Sequence, residues 1–371
     1  MNRIKICYLV SSLSNEGPVN VMYNIIKYIN LEKFDVSIIT LIPEKENSRF
    51  KEFKKLPVVI HQLSADFKLN LLKLFYLLKD KVSEVNPDIL HSHCPRSLYL
   101  MKFLSSEYKK TYTIHIYPGQ QQIVLYGKLL GNIVIRLNNF FTKRIDLPIG
   151  CAESVSELYK INQGWNITNI PNGTDLPLWK KDLEYRQVLR KELGLKQDIK
   201  YFIFIGRFSK EKNPDILFNV FKHYLRSDIG LIMLGNGPMW DNLKNEECDN
   251  IIMPGFTTRV YDYLKVADYY ISTSDTEGLA NTLLESMTVG LPMLLSDIPS
   301  HHEILRNFEH NEVGMIIDQH NVESIKKGID FIGELDHDKV CQSVQHLFLE
   351  KYTAKRMSEQ YQYEYSKVLN Q

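Results

Sequence analysis

Short apolar runs alternate with stretches of helical periodicity twice over in this 371-residue chain, and that doubled alternation restricts it to α/β architectures. Residues Ile4 to Val10 predict a strand, Val19 to Ile29 a helix, Val36 to Leu41 a strand, and Leu69 to Val85 a long helix ahead of a strand at Ile89 to His91. The alternation restarts after Asp175, with strands predicted at Tyr201 to Ile205, Gly230 to Leu234, Ile251 to Met253, Tyr269 to Ile271 and Met293 to Leu295. Each series predicts a parallel sheet covered by helices, so the expectation is two doubly wound, Rossmann-like domains. Pro171-Asn172-Gly173 and Pro177 are the strongest punctuation in the chain and mark the hinge, with domains at 1–173 and 174–352. Open α/β sheets bind ligands beyond the carboxyl ends of their strands, and the loops at those ends are expected to line a cleft.

With 44% hydrophobic and 24% charged residues the composition is that of an ordered globular protein. Charge is unevenly spread: residues 1–175 carry 22 Lys and Arg against 15 Asp and Glu, and the remainder 23 against 29. A basic first half suits an anionic surface. A membrane or a pyrophosphate-linked acceptor fits better than nucleic acid, because no nucleic-acid-binding motif accompanies the charge; a merely solvated surface is the alternative. Cys7, Cys94, Cys151, Cys248 and Cys341 form no C-x-x-C pair, as expected for reduced thiols in a cytoplasmic protein. The apolar start reads as a first buried strand, since no cleavage site follows it, and no uninterrupted apolar run is long enough to predict a spanning helix. One amphipathic stretch, 122–144, interleaves Ile123, Val124, Tyr126, Leu129, Leu130, Ile133, Val134, Leu137, Phe140 and Phe141 with Lys128, Arg136, Lys143 and Arg144. Domain core is the commoner meaning of such a stripe, and a membrane surface the second.

Glu277 and Glu285 stand eight positions apart with Gly278 after the first. If Asn281 to Thr288 is helical, Glu285 lies inside the helix. Glu277 then sits on the loop at its N-terminus, where unpaired N–H groups and the helix dipole favour an anion. The economical reading gives those amides to a phosphoryl group and the carboxylates to sugar hydroxyls. Asn281 serves equally well as the helix cap. Upstream, Gly206 ends an apolar strand, Arg207 follows at once and Lys212 stands five residues later.

These residues sit among four signals in order: Phe202-Ile-Phe-Ile-Gly206-Arg207-Phe208-Ser209-Lys210-Glu211-Lys212-Asn213, Gly235-Asn236-Gly237-Pro238, Val266-Ala267-Asp268, and Gly290-Leu-Pro292 with Ser296-Asp297-Ile-Pro299. Together they resemble the retaining glycosyltransferases of the GT-B fold, family 4, of the type that builds bacterial surface polysaccharides. Weaker resemblance at Asn15-Glu16-Gly17-Pro18 and Ile170-Pro171-Asn172-Gly173-Thr174-Asp175 extends it over nearly the whole chain.

The resemblance implies that the closing helix at about 353–371 returns to the N-terminal domain. It assigns Arg207 and Lys212 to the donor diphosphate, where fixed cations stabilise the leaving group without a metal. It assigns Glu285 to the nucleotide ribose, Glu277 to the donor sugar, and the main chain of Gly278, Leu279, Ala280 and Asn281 to sugar or β-phosphate, with Thr282 as a further hydroxyl donor. His115, after Thr111-Tyr-Thr-Ile114, stands where the family carries a histidine beside the donor sugar; Glu277 and His115 are the catalytic candidates. His91 and His93 lack further ligands at metal spacing, and no metal or other cofactor is expected. In the first glycine loop Glu16-Gly17-Pro18 replaces the family's paired glycines, so only Gly17 offers unhindered backbone approach to the donor.

The expected function is retaining transfer from a nucleoside-diphosphate sugar, a UDP-sugar above others, to a glycan or lipid-linked acceptor at the inner membrane face. No nucleic acid is expected as a partner. The rivals are a GT-B nucleotide-sugar epimerase and a nucleotide-sugar-binding protein without catalysis. A Rossmann dehydrogenase is disfavoured because no G-x-G-x-x-G follows the first strand.

Overall fold

The computed structural model describes residues 3–63, 71–180, 182–224, 226–246, 248–309 and 311–370. The chain divides into two compact units, Met1–Asp175 with Tyr352–Gln371, and Leu176–Lys351.

In chain order the first unit runs β1 (Ile4–Val10), α1 (Gly17–Lys27), β2 (Phe34–Thr40), the single turn α2 (Phe50–Phe53), β3 (Val59–Gln62) and α3 (Leu71–Val85). It continues with β4 (Ile89–Ser92), α4 (Pro95–Lys102), β5 (Lys109–Ile114), α5 (Gln120–Thr142), β6 (Leu147–Gly150), α6 (Glu153–Gln163) and β7 (Thr168–Asn169). The second unit holds α7 (Leu183–Glu192), β8 (Lys200–Ile205), a 3₁₀ turn at Lys210–Lys212, α8 (Pro214–Lys222), β9 (Ile229–Leu234), α9 (Trp240–Lys244), β10 (Ile251–Gly255) and α10 (Val260–Val266). It closes with β11 (Tyr269–Ser272), α11 (Asn281–Thr288), β12 (Met293–Ser296), α12 (Pro299–Leu305), β13 (Gly314–Ile317), α13 (Val322–Ile332) and α14 (His337–Lys351), after which α15 (Ala354–Leu369) belongs to the first unit. Of the predicted helix at 69–85, the first two residues lie outside the described ones.

Both sheets are parallel, ordered β3-β2-β1-β4-β5-β6-β7 and β10-β9-β8-β11-β12-β13. Each is a doubly wound sheet whose strand order reverses beside its first strand, between β1 and β4 and between β8 and β11. Strands buried on both faces read as continuous apolar runs, which is why the runs were legible. The exception in the second unit is β13, where Gly-Met-Ile-Ile follows a polar loop and is too short to stand out; in the first unit β3, which has no buried residue, and the short β6 and β7 were not read either.

The closing helix α15 returns to the first unit and buries Met357, Tyr361, Tyr365 and Val368 in the same core as Ile6, Tyr8, Ile25 and Phe34. Tyr residues at this depth need partners for their hydroxyls. Tyr365 Oη lies 2.9 Å from Tyr8 Oη and 2.6 Å from His91 Nδ1; His91 Nε2 lies 2.8 Å from Thr113 Oγ1, which is 2.9 Å from Tyr361 Oη. Both nitrogens of His91 are thus spent on holding α15. In the second unit Asp268, of the Val-Ala-Asp signal, is likewise structural: it pairs with Arg186 and Arg190 and accepts from the backbone N–H of Tyr201.

The stripe at 122–144 is only in part domain core: Ile123, Val124, Val134 and Phe141 are half-buried, and its other apolar residues are exposed. Within α5 the buried residues are Gln122, Gly131, Asn138 and Thr142, while Leu125, Tyr126, Leu129, Leu130, Ile133, Leu137 and Phe140 are exposed. Gly127, at φ 76°, breaks the helix and turns its two halves against each other. The apolar side faces outward because small and polar residues occupy the packed side.

Candidate active site

In the second unit the site is built at the carboxyl ends of β8 and β11, on either side of the strand-order reversal. Arg207 leaves β8 on a loop held from both flanks: the Gly206 N–H donates to Leu234 O and the Phe208 N–H to Asn236 O, each at 3.0 Å. Gly235, at φ 134°, lies so close that a Cβ there would overlap the Gly206 carbonyl oxygen. The Gly-Asn-Gly-Pro signal is therefore the support on which Arg207 stands. The Arg207 side chain is exposed and has no acidic partner among the described residues.

Lys212 ends the 3₁₀ turn, which is stitched to the loop after β11. Asn213, in the left-handed conformation that Asn tolerates, donates to Thr273 O and Asp275 Oδ1. Thr273 Oγ1 donates to Lys212 O at 3.0 Å and the Asp275 N–H to Glu211 O at 2.9 Å. These bonds bring the Lys212 ammonium onto Glu277 Oε1 as an ion pair, and Ser274 Oγ donates to the same oxygen at 2.9 Å. Burial alone would raise the Glu277 carboxyl. Lys212, His301 and Ser274 outweigh it and hold the group below its ordinary value, so it is ionised at neutral pH. The sequence reading gave Lys212 and Glu277 to different parts of a ligand, and the structure joins them.

The helix after this loop is Asn281–Thr288, the condition on which the reading of the two carboxylates rested. Its cap is Ala280 without a side-chain hydrogen bond, so Asn281 is the first helical residue and not the cap. Gly278 and Leu279 are buried, and Ala280 and Asn281 partly exposed. The Thr282 hydroxyl, expected to be available as a donor, is engaged 3.1 Å from Tyr270 Oη. Glu285 lies one turn into α11, partly exposed. Its charge and that of Glu277 help to raise the Tyr270 hydroxyl, whose shift is led by burial.

Sequence reasoning missed His301. It is 1% exposed on α12, with Nδ1 3.0 Å from Ser296 O; a carbonyl only accepts, so Nδ1 carries the proton. Ser296 Oγ donates in turn to Ser274 O at 2.6 Å, linking this turn to the Glu277 loop. Burial lowers His301 to about 4. The signal was in the sequence, as the Ser-Asp-Ile-Pro-Ser-His run at another strand's carboxyl end.

In the first unit Gly17 opens α1, with Glu16 at the cap position and Pro18 behind it. His115 follows β5, and its Nε2 lies 3.1 Å from Nδ1 of His93, which follows β4 and is 1% exposed. Burial pushes His115 down to about 3 and His93 well below the ordinary value, so both are neutral at physiological pH. Among the described residues no cluster of His, Cys, Asp or Glu is suited to a metal. Beside His93 opens a groove of about 1220 Å³ that lies within this unit. Its lining combines Ser11, Ser12, Glu16, Lys45 and Arg96 with Leu72 and Phe75 of α3, Tyr99 of α4, Phe103 just past α4, and Leu125 and Leu137 of α5.

Two family descriptions match the chain: Glycosyltransferase Family 4 over residues 16–177, and Glycosyl transferases group 1 over 186–343. Among curated proteins it is 23% identical over 365 residues to the UDP-Gal:alpha-D-GlcNAc-diphosphoundecaprenol alpha-1,3-galactosyltransferase of Escherichia coli, covering 91% of this chain and 89% of that one. It is 24% identical over 319 residues to the N-acetylgalactosamine-N,N'-diacetylbacillosaminyl-diphospho-undecaprenol 4-alpha-N-acetylgalactosaminyltransferase of Campylobacter jejuni, covering 75% and 85%. Among solved structures, Anabaena HepE in complex with UDP and glucose superposes with a TM-score of 0.79 over 98% of this chain and 100% of that one, at 16% identity.

Proposed function

The chain belongs to the family 4 glycosyltransferases and has their two-domain GT-B fold, and from that premise we propose that it transfers a sugar from a UDP-sugar to a lipid-linked glycan acceptor with retention. The observation that carries the acceptor half is the groove of the first unit. At about 1220 Å³ it exceeds the roughly 300–1,000 Å³ of ordinary small-ligand pockets. A lining that joins apolar side chains of α3, α4 and α5 to Lys45 and Arg96 suits a long hydrocarbon chain ending in phosphate. The exposed side chains of α3 and α5, flanked by Lys128, Arg136, Lys143 and Arg144, suit a bilayer surface beside it, and no helix among the described residues is long and apolar enough to cross one. The names of the two curated relatives, both acting on undecaprenol-linked sugars, support the same acceptor class.

At the donor, Arg207 and Lys212 neutralise the diphosphate, Glu285 takes the ribose hydroxyls and Glu277 a sugar hydroxyl. Lys212 has three N–H groups, so its pairing with Glu277 leaves two for phosphate. The acceptor oxygen forms its bond to the anomeric carbon on the face from which the β-phosphate oxygen departs, and that oxygen takes the acceptor's proton. No protein nucleophile is required, and the protein positions and screens.

The test is turnover of UDP-glucose, UDP-galactose and their N-acetylamino counterparts with an undecaprenyl-diphosphate-linked sugar. An α-configured product is expected by NMR; a β-linked product, or an epimerised donor without transfer, overturns the reading. Leu72→Glu with Leu125→Glu, both exposed in the free protein, is expected to raise KM for the lipid acceptor about tenfold or more, burial of one such side chain being worth about 1.5–3 kcal/mol. Donor hydrolysis stays unchanged. Equal loss with a short water-soluble acceptor removes the groove from the reading.

A further inference from the structure

His93 packs against His115 in the first unit and takes no part in the transfer chemistry proposed above. Its ring is packed on one side against His91, at 4.3 Å between centroids, and on the other against His115 at 5.2 Å. His91 is committed to Tyr365 and Thr113 and leaves His93 no hydrogen bond. Among the described residues the single side-chain hydrogen bond of His93 is therefore Nδ1 to His115 Nε2, and only one of those two nitrogens can hold the proton between them.

The other nitrogen of His93 decides which. His93 Nε2 is buried and has no hydrogen-bond partner among the described residues. If His115 donated to His93, the His93 proton would sit on Nε2 as a buried N–H without an acceptor. Orphaned N–H groups are the rarer and costlier kind, whereas a bare lone pair is better tolerated. The proton accordingly sits on His93 Nδ1 and is donated to His115 Nε2. His115, partly exposed, then carries its own proton on Nδ1, and no hydrogen bond among the described residues uses that nitrogen.

We propose that His93 is a positioning residue that fixes the tautomer of His115, so that His115 presents an Nδ1–H donor to an oxygen acceptor on the donor substrate, a sugar hydroxyl oxygen. The inference rests on the transferase reading for its consequence, though not for its geometry. Because neither ring is charged at physiological pH, the tautomer alone sets what His115 offers a ligand. Without His93 the His115 proton is free to sit on Nε2, turning the ligand-facing nitrogen from donor to acceptor.

The test combines ¹⁵N NMR of the histidine-labelled full chain at pH 7.5 with donor kinetics. In the wild type, His115, identified by the signals lost in His115→Asn, shows a protonated Nδ1 and an unprotonated Nε2. His93→Ala mixes the tautomers and lowers kcat about tenfold, with KM for the donor and the affinity for UDP little changed. His93→Asn places an amide N–H where Nδ1 stood and restores both, whereas His93→Gln sets its amide one carbon farther out and does not. If the alanine variant fails to fold, the Asn and Gln pair decides the question alone. A wild-type proton on His115 Nε2, or His93→Gln turning over like His93→Asn, overturns the proposal. Absence of sugar transfer by the wild type overturns the transferase reading instead, and the NMR pattern still decides the role of His93.

Discussion

Replacing Arg207 by alanine is expected to lower kcat/KM for the donor by about 10²–10³-fold while leaving the thermal unfolding midpoint where it was. The two halves of that expectation have separate causes. Arg207 is exposed and has no acidic partner among the described residues, so its removal takes no ion pair from them. The residues on either side of it are held by the Leu234 and Asn236 carbonyls, which accept from the Gly206 and Phe208 N–H groups, and by the close approach of Gly235 to Gly206, none of which depends on the Arg207 side chain. A guanidinium on a fixed loop needs little reorganisation when a diphosphate arrives, and it can hold two oxygens at once. Charge on that diphosphate grows as the sugar bond breaks, so the loss falls on the transition state more than on the bound ground state. Arg207→Lys keeps the charge without the fork and is expected to recover only part of the rate. Steady-state kinetics beside a thermal melt measures both halves. Unchanged turnover, or a drop in midpoint large enough to account for the lost activity, defeats the assignment.

Legibility in the sequence followed burial. Strands such as β1 and β8 are apolar on both faces and announced themselves, and α11 was legible because a carboxylate spacing framed it. Side-chain partnerships were not legible. Nothing in the spacing of Lys212 and Glu277 says that they meet, since their contact depends on Asn213 and Thr273 tying two loops together. His91 and His93 look alike in the sequence, two residues apart; only the arrival of α15 over one of them separates an anchor from a group behind the site. The stripe of α5 failed for a different reason: periodicity reports that a helix has an apolar face but not whether the domain covers it. Asn138 and Thr142 turned that face outward.

Lys212→Ala is expected to destabilise the protein by about 2–3 kcal/mol at pH 7.5, and adding Glu277→Gln to it is expected to restore most of that loss. The pair has side-chain exposures of 21% and 15%, so the cost falls below the roughly 3–5 kcal/mol of breaking a fully buried pair. The sign with pH separates this from a packing effect. In the wild type the Glu277 carboxyl is held below its ordinary value, so its contribution to stability is complete above the unfolded-state value and is lost as pH falls through the lowered one. Without Lys212 the largest remaining influence is burial, which raises the carboxyl above its unfolded value. The variant then gains stability relative to the wild type as pH falls towards 5, because Glu277 takes up a proton that relieves the uncompensated charge. In the double variant no charge is left to relieve, and its difference from the wild type should not narrow in that way. Urea unfolding of the three proteins between pH 5 and 8 reads these slopes. If Lys212→Ala and the double variant are equally stable at pH 7.5, the two side chains do not neutralise one another in solution. Activity should divide differently from stability, since the double variant regains the fold but neither the phosphate contact nor the ionised sugar ligand. Restored stability with turnover still reduced at least tenfold would show that the pair is kept for the donor and not for the domain.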